Sequence, residues 1–441
     1  MPAGAMFSQR LTSLLPKNLT MGAAWNALAQ ITYRGAVILG MLIAARLLGL
    51  ERFGQLSILY STTMTFNVVA SLGLIMTGTK LVAELRGKDQ ARTGRIIALC
   101  QWVALASGGV VGLGMLLCAP WIASEILNDA ALATGVRLTA LLLLFQVLAD
   151  SMLGINLGFL AFRGIFWTNL ITGLVAFVLL IAGAFYQGVT GALVGLALAE
   201  AVRLVLLLRT GQRAAIGHGI TPSWRFPKEE LPVLWHVSLP SMATAILWLP
   251  VTWIGTLMLV RQPGGFAEMG LFGAANQWFS LLLFVPGVVT QTILPILSRQ
   301  VGDGGRREAR GLALKSSGIM LILVALISAP LMLASPWLVA AYGPDFKTGV
   351  WVFVAMLAAA VAAAPQGILG NYLAAENRFW LRFHLNLLWA VCYLAAAFHL
   401  VVQGAIGLAI ALIIAYAART LATLVYVLRA KGDGEPSPGP R

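Results

Sequence analysis

The sequence predicts an all-α, polytopic membrane protein with twelve transmembrane helices. Of the 441 residues, 59% are hydrophobic and only 10% are charged, whereas soluble domains carry about 25% charged residues. Apolar stretches long enough to cross a bilayer, which takes roughly 17–25 residues, recur along the chain. Lys and Arg cluster in alternate connecting segments, as they do in cytoplasmic loops. So few charges could not cover the surface of a soluble globule of this size.

The predicted spans form two groups of six. The first group is 22–45, 56–79, 96–118, 137–160, 166–186 and 188–208. The second group is 234–260, 270–297, 313–334, 350–374, 380–400 and 404–428. Several of these segments are longer than a span needs, so we expect tilted or kinked helices. Pro286 and Pro295 favour a kink in the eighth helix.

The distribution of basic residues predicts the topology. Most of the 30 Lys and Arg residues fall in segments that share one side of the membrane when the N-terminus is cytoplasmic. An excess of Lys and Arg marks the cytoplasmic side, so both termini are predicted to be cytoplasmic. The net charge of +14 then follows from topology, and we expect no nucleic-acid partner. Three arginines fall within spans instead: Arg34, Arg203 and Arg419.

The longest polar stretch divides the chain into two six-helix bundles. We predict a cytoplasmic N-terminal segment over 1–21, a first bundle over 22–208, a cytoplasmic linker over 209–233, a second bundle over 234–428 and a disordered tail over 429–441. The two bundles resemble each other, because 191–203 matches 407–419, and Gly54 and Gly270 have the same separation. Six helices in each half make the repeats parallel, with a transport site expected between them.

Polar and ionisable side chains inside spans are the candidate site residues, since a charged side chain at the bilayer centre costs about 2.5–3.5 kcal/mol on insertion scales. Asn26, Gln30 and Arg34 are each four residues apart and share one helical face. That face suits a water-filled cavity or a polar contact between helices, and a guanidinium suits a phosphate. The other candidates for the cavity lining are Gln146, Asp150, Glu200, Arg203, Asn276, Gln277, Gln291 and Arg419.

The acidic candidates have alternative roles. Asp150 is placed either to pair with Arg34 or to bind a proton or a sodium ion. Glu200 and Arg203 are three residues apart and can neutralise each other. Arg419 has Tyr416 where the acid would be, which favours Arg419 as a cavity cation. The sequence has no nucleotide-binding loop, catalytic-triad order or metal-binding spacing, so we expect no enzyme activity, cofactor or metal.

Three segments carry a family resemblance. Residues 45–56 resemble the loop after the first span of polysaccharide (Wzx-type) flippases, and 269–278 resemble the segment that opens their second half. Pro286, Pro295 and the pair 298–299 are also similar to that family. The resemblance covers roughly residues 20–429. It implies the fold of the multidrug/oligosaccharidyl-lipid/polysaccharide exporter superfamily, with two six-helix bundles around a central cavity.

The resemblance also implies a function. Such flippases carry an undecaprenyl-diphosphate-linked oligosaccharide from the inner to the outer leaflet of the bacterial inner membrane, and polar residues of their first helix line the cavity. Expected partners are this lipid-linked substrate, membrane lipids, a polysaccharide polymerase and glycosyltransferases, and we expect a monomer. Two alternatives are a cation-coupled multidrug antiporter and a membrane-embedded glycan polymerase or ligase. The short outer loops argue against the enzyme.

Overall fold

The structure, a computed structural model, describes residues 17–220, 225–239 and 247–429. It does not describe the side chains of 17–27, 29 and 291. All regular elements within these ranges are helices, which confirms the predicted all-α class. The predicted N-terminal segment and tail lie largely outside the described residues.

The helices divide into two units. The first unit contains the chain up to Leu48 together with Gln55–Pro250, and the second contains Gly49–Gly54 and the chain from Val251 onward. The long helices that form the first unit are α1 (Lys17–Ala70), α2 (Leu74–Leu85), α3 (Gln90–Leu117), α4 (Ala133–Gly158) and α5 (Phe162–Gly217). Short helical turns connect them over Ala119–Trp121, Ile122–Ile126, Ala130–Leu132, Lys228–Glu230 and Leu234–Ser238. Within α1 the backbone leaves the helical region at Gly49.

The second unit is built mainly from shorter helices. These are α6 (Trp248–Val260), α7 (Gly265–Leu282), α8 (Phe284–Gly302), α9 (Arg306–Leu333), α10 (Ser335–Tyr342), α11 (Val350–Ala363), α12 (Gln366–Ala375), α13 (Phe379–Leu400) and α14 (Ala405–Arg429). Short 3₁₀ turns cover Pro344–Gly349 and Val401–Gln403. The predicted eighth span is divided at Leu283, close to Pro286, which has no N–H to donate to the preceding turn. The tenth is divided next to Pro365.

Eight helical stretches within the described ranges are long and apolar enough to cross a membrane. They are Gln90–Leu117, Ala130–Gly158, Phe162–Gly217, Gly265–Gly302, Arg306–Leu333, Pro344–Ala375, Phe379–Gln403 and Ala405–Arg429. Large apolar side chains on these helices are exposed, for example Leu117 and Leu333, as expected for surfaces that face lipid. The prediction of a polytopic membrane protein is confirmed, while the number of twelve spans and the side of the termini stay predictions.

The chain reverses direction inside α5 at Gly188. In a straight helix Leu179 and Gly195 would lie about 24 Å apart, yet their backbones are in contact, as are those of Gly183 and Gly191. Gly188 makes this turn with φ 63° and ψ −137°, a region that is essentially restricted to glycine. One residue therefore joins two antiparallel helices.

Gly404 makes the corresponding turn in the second unit, between α13 and α14. Its φ is 73° and its ψ is −148°, close to the values at Gly188, and the backbones of Leu400 and Gly407 meet across it. Gly404 follows Gly188 at the same separation along the chain that relates Arg419 to Arg203. The repeat seen in the sequence is therefore also a repeat in backbone conformation.

Candidate functional site

A cluster of charged and polar side chains lies inside the first unit. Arg203 on α5 donates from Nη1 to Glu200 Oε2 at 3.0 Å and from Nη2 to Asp150 Oδ1 at 3.1 Å. The Tyr33 hydroxyl donates to Glu200 Oε1 at 2.9 Å. Asn67 Nδ2 donates to Asp150 Oδ2 at 3.1 Å. Two carboxylates therefore share one guanidinium, and each carboxylate oxygen accepts a hydrogen bond.

Helix packing brings these residues together. The backbone of α1 at Tyr33 comes close to Gly173 of α5, because glycine has no side chain to hold the two helices apart. The Arg203 guanidinium lies 5.8 Å from the centre of the Tyr33 ring, within the range of a cation–π contact. Asn156 ties α4 to α5 by donating to the Leu207 carbonyl at 3.0 Å. The cluster thus depends on contacts between three helices that are far apart in the sequence.

The predicted face of the first helix is described only in part. All three of its positions lie in α1 and share one helical face, but the side chain of Asn26 is outside the described residues. Gln30 is half-buried and Arg34 is exposed. Arg34 is close enough to Tyr60 for its charge to act on the Tyr60 hydroxyl. Their lining of a substrate cavity stays a prediction.

The two acidic candidates both pair with Arg203. The Glu200–Arg203 pair proposed from the sequence is present, and Asp150 also pairs with Arg203. Binding of a proton or a sodium ion at Asp150 stays a prediction. Gln146 lies one turn before Asp150 on α4, and its Nε2 contacts Met64 Sδ at 3.6 Å. Its buried Oε1 has no hydrogen-bond partner among the described residues.

Arg419 is held differently in the second unit. Its Nη1 donates to Gln366 Oε1 at 2.6 Å. Gln366 in turn donates from Nε2 to the Tyr416 carbonyl at 2.9 Å and to Thr420 Oγ1 at 3.1 Å. In the part of the chain that the structure describes, no carboxylate forms an ion pair with Arg419. The partner of this arginine is therefore a neutral amide.

The polar strip predicted on the eighth helix is divided among different surroundings. Asn276 is exposed, and the side chain of Gln291 is outside the described residues. Gln277 Oε1 accepts a hydrogen bond from the Tyr342 hydroxyl at 3.3 Å, and that hydroxyl accepts one from Trp278 Nε1 at 3.1 Å. Gln277 is thus hydrogen-bonded to the aromatic side chains of the second unit, and these contacts explain its presence by a structural role.

Sequence reasoning missed three members of these sites. Gln366 could have been found, because it follows Asp150 at the separation that relates Arg419 to Arg203. Asn67 is an amide within a predicted span and carried the same signal as the residues that were selected. Tyr33 carried no such signal, since tyrosines are common in membrane helices. No group of three or more His, Cys, Asp or Glu is placed to hold a metal ion within the described ranges.

Comparisons with known proteins agree with this fold. An inward-facing multidrug resistance transporter of the MATE family and MOP superfamily superposes with a TM-score of 0.74 at 14% identity, over 90% of this chain and 94% of that chain. The lipid II flippase MurJ in an inward closed conformation superposes with a TM-score of 0.65 at 13% identity, over 91% of this chain and 86% of that chain. At such identities the likeness shows the fold alone.

Relatives are also found by sequence. A protein of Ralstonia nicotianae named EPS I polysaccharide export inner membrane protein EpsE is 27% identical over 406 residues, which is 89% of this chain and 87% of the relative. Together with the membrane-spanning helices, this relative confirms the predicted multi-pass location in the inner membrane. A transporter rather than an enzyme is likewise confirmed.

The family itself is shown by a model that covers most of the first unit and the beginning of the second. The model described as polysaccharide biosynthesis protein matches residues 19–301, more than half of the chain. Its range includes the Arg203 cluster and the turn at Gly188. The resemblance noted from residues 45–56 and 269–278 is therefore confirmed, and the chain belongs to the polysaccharide biosynthesis protein family.

Proposed function

We propose that the chain is a flippase for an undecaprenyl-diphosphate-linked oligosaccharide, an O-antigen or exopolysaccharide repeat unit. It would carry this substrate from the inner to the outer leaflet by alternating access. The observation that carries the proposal is the placement of arginines deep within apolar helices of a chain from this family. Arg34 is about 16 Å from the nearer end of its predicted span (22–45), and Arg419 is about 14 Å from the nearer end of its predicted span (404–428), at about 1.5 Å per residue.

Arginine at this depth suits the proposed substrate chemically. A guanidinium presents several N–H donors in one plane, which match two phosphate oxygens at once. Surroundings of low dielectric strengthen its attraction for an anion. Such a side chain is costly in hydrocarbon, so its presence favours a role in binding a charged substrate.

The Arg203 cluster supports a further part of the proposal, the coupling of transport to an ion. Asp150 and Glu200 bring two negative charges to one guanidinium. The surplus carboxylate is suited to bind a proton or a sodium ion. Tyr33 and Asn67 contribute neutral hydrogen-bond donors to the cluster. The charge of Arg34 acts on the Tyr60 hydroxyl, as do the charges of the cluster itself.

Surface glycan in a strain that lacks the gene tests the proposed function. The wild-type chain should restore the glycan, and Arg34→Ala should not restore it although its protein level is normal. Arg52→Ala is the matched control, because Arg52 is exposed and lies outside the predicted spans. Normal glycan in the deletion strain would overturn the flippase, and normal glycan with Arg34→Ala would remove Arg34 from its site.

A cation-coupled multidrug antiporter is the second candidate. The specific observation in its favour is the pair of carboxylates at Asp150 and Glu200, since cationic substrates and coupling ions both bind to acids. This candidate predicts efflux of a cationic dye that either Asp150→Asn or Glu200→Gln abolishes. It also predicts that deletion of the gene leaves the surface polysaccharide unchanged, which is opposite to the expectation for the flippase.

A further inference from the structure

The two units contain arginines at equivalent positions, and the side chains around these arginines differ in charge. Gln366 and Arg419 occupy the repeat positions of Asp150 and Arg203, and both pairs form a hydrogen bond from a guanidinium Nη to a side-chain oxygen. The repeat position of Glu200 is Tyr416, so the second unit lacks both acids of the first. The hydrogen bond to the arginine is thus present at both positions, but the negative charge of its partners in the first unit is absent at the equivalent position of the second.

The amide of Gln366 is held in one orientation. Its Nε2 donates to the Tyr416 carbonyl and to Thr420 Oγ1, and therefore its Oε1 must face Arg419. The Thr420 hydroxyl donates onward to the Ala362 carbonyl at 3.2 Å. A neutral acceptor is thus positioned firmly, and it accepts from one of the several N–H groups that a guanidinium carries. The remaining donors of Arg419 point to a ligand that accepts hydrogen bonds.

A second positive charge lies near Arg419. Arg382 on α13 packs against α12 one helical turn after Gln366, the residue that accepts the hydrogen bond from Arg419, and the two arginine charges act on each other. Its guanidinium lies beside Gly370 of α12, where an added Cβ would be 3.5 Å from Nε. Within the described ranges, Arg382 also has no carboxylate in an ion pair. Both arginines are half-buried rather than sealed, so a ligand can reach them.

We propose that Arg419 and Arg382 form a binding site in the second unit for a phosphate-bearing lipid headgroup. This inference rests on the proposed function, in which the headgroup is the diphosphate of the lipid-linked oligosaccharide. Two neighbouring cations without an acid match a ligand that carries more than one negative charge and several acceptor oxygens. The equivalent position in the first unit differs, because Asp150 and Glu200 already pair with Arg203.

Binding to the purified full-length chain tests this proposal. Undecaprenyl diphosphate and phosphatidylglycerol are the two probes, and native mass spectrometry of the protein in neutral detergent measures their apparent Kd. Arg419→Gln should weaken binding of the diphosphate by about tenfold or more, whereas Arg419→Lys, which keeps the charge, should lose less. Size-exclusion chromatography of each variant verifies that it is folded.

Gln366→Glu is the sharper variant. It places a carboxylate where the first unit has Asp150 and should weaken binding of the diphosphate by about tenfold because it neutralises Arg419. The carboxylate also lacks the N–H donors that Gln366 offers to the Tyr416 carbonyl and Thr420 Oγ1, so the affinity is read only if size-exclusion chromatography shows a folded variant. Gln101→Glu makes the same chemical change on α3 of the first unit, where the Gln101 side chain contacts Met152 Sδ, and should leave Kd unchanged. Wild-type affinity in both Arg419→Gln and Gln366→Glu would overturn the site.

The two probes separate the sources of the headgroup. Binding of the diphosphate alone that depends on Arg419 assigns the site to the lipid carrier, and equal binding of phosphatidylglycerol assigns it to membrane phospholipid. Either result supports a headgroup site. If the Kd of both probes is the same in the wild type and in the Arg419 variants, the proposed site is contradicted. Failure of the proposed function is distinguishable, because surface glycan in the deletion strain would then be normal whatever the Kd of the variants.

Discussion

Arg203 and Arg419 occupy equivalent places in the two units, but their surroundings differ in charge. Arg203 is shared by Asp150 and Glu200, whereas Arg419 has the neutral side chain of Gln366 as its acceptor. The comparison teaches that a duplicated structural position can keep its hydrogen-bond geometry while its electrostatic character changes. The three side chains Asp150, Glu200 and Arg203 then carry surplus negative charge, whereas Gln366 and Arg419 carry surplus positive charge.

Under the proposed function, this division of charge would assign the response to a coupling ion and the binding of a phosphate to separate sites. An acid-rich cluster is suited to respond to protons or sodium ions, and a basic cluster is suited to hold a phosphate. In a single site that held all of these groups, the carboxylates and the guanidinium groups would pair with one another. Variants that exchange the chemistry of the two positions therefore test the comparison directly.

The largest effect is expected from removing each arginine in turn. Arg203→Met leaves two buried carboxylates unpaired and should lower the free energy of unfolding by about 3–5 kcal/mol. Arg419→Met leaves only the Gln366 oxygen without its donor and should cost about 1–3 kcal/mol. Unfolding in mixed micelles, followed by tryptophan fluorescence, measures both losses.

Acidification provides a control for this prediction. Protonation removes the unpaired charges of Asp150 and Glu200 in Arg203→Met, so part of its lost stability should return as the pH falls. Arg419→Met has no such carboxylates and should show no recovery. Equal losses in the two variants, or equal responses to pH, would mean that the units do not differ in charge balance.

The two glycine turns should give the next largest effect. Alanine at Gly188 or Gly404 is strained by the positive φ of each position, which costs about 1–3 kcal/mol. Gly404→Ala should lose more, because its Cβ would meet the carboxylate of Glu268, which accepts the Ala405 N–H at 2.7 Å. The same unfolding measurement ranks the two variants.

Gly109→Ala is the matched control for these turns. Gly109 is in the interior of α3, and a Cβ there would meet no atom within 4 Å. Alanine is favoured over glycine inside a helix, so this variant should gain about 0.5–1 kcal/mol. If Gly188→Ala were as stable as Gly109→Ala, the turn at Gly188 would not require its positive φ.

The sequence alone predicts much of this fold, because low charge and recurrent apolar segments leave few alternatives to a membrane helix bundle. It also predicts the Glu200–Arg203 pair, which depends only on helical spacing. It could not predict that Asp150 pairs with Arg203, because that contact depends on how α4 packs against α5. It also placed the break between the fifth and sixth spans next to Gly188, but it could not predict that a single residue makes this turn, since helices usually need several residues to reverse direction.

The smallest effect on stability is expected from Asp150→Asn, which gives the first unit the amide chemistry of the second. Arg203 keeps Glu200 as its partner, so the surplus negative charge disappears and no charge is left unpaired. Asn67 Oδ1 is buried without a partner among the described residues. If the Asn67 amide turns over, that oxygen can accept from the new amide, and the loss should stay near about 1 kcal/mol.

The effect of Asp150→Asn on transport should be larger than its effect on stability. If the surplus carboxylate binds the coupling ion, transport by this variant should no longer change with pH or with sodium concentration, while the protein remains folded. Glycan export by cells held at different pH and sodium concentrations measures this dependence. Unchanged ion dependence in a stable Asp150→Asn variant would assign the two carboxylates a structural role, and the charge difference between the units would then concern substrate binding alone.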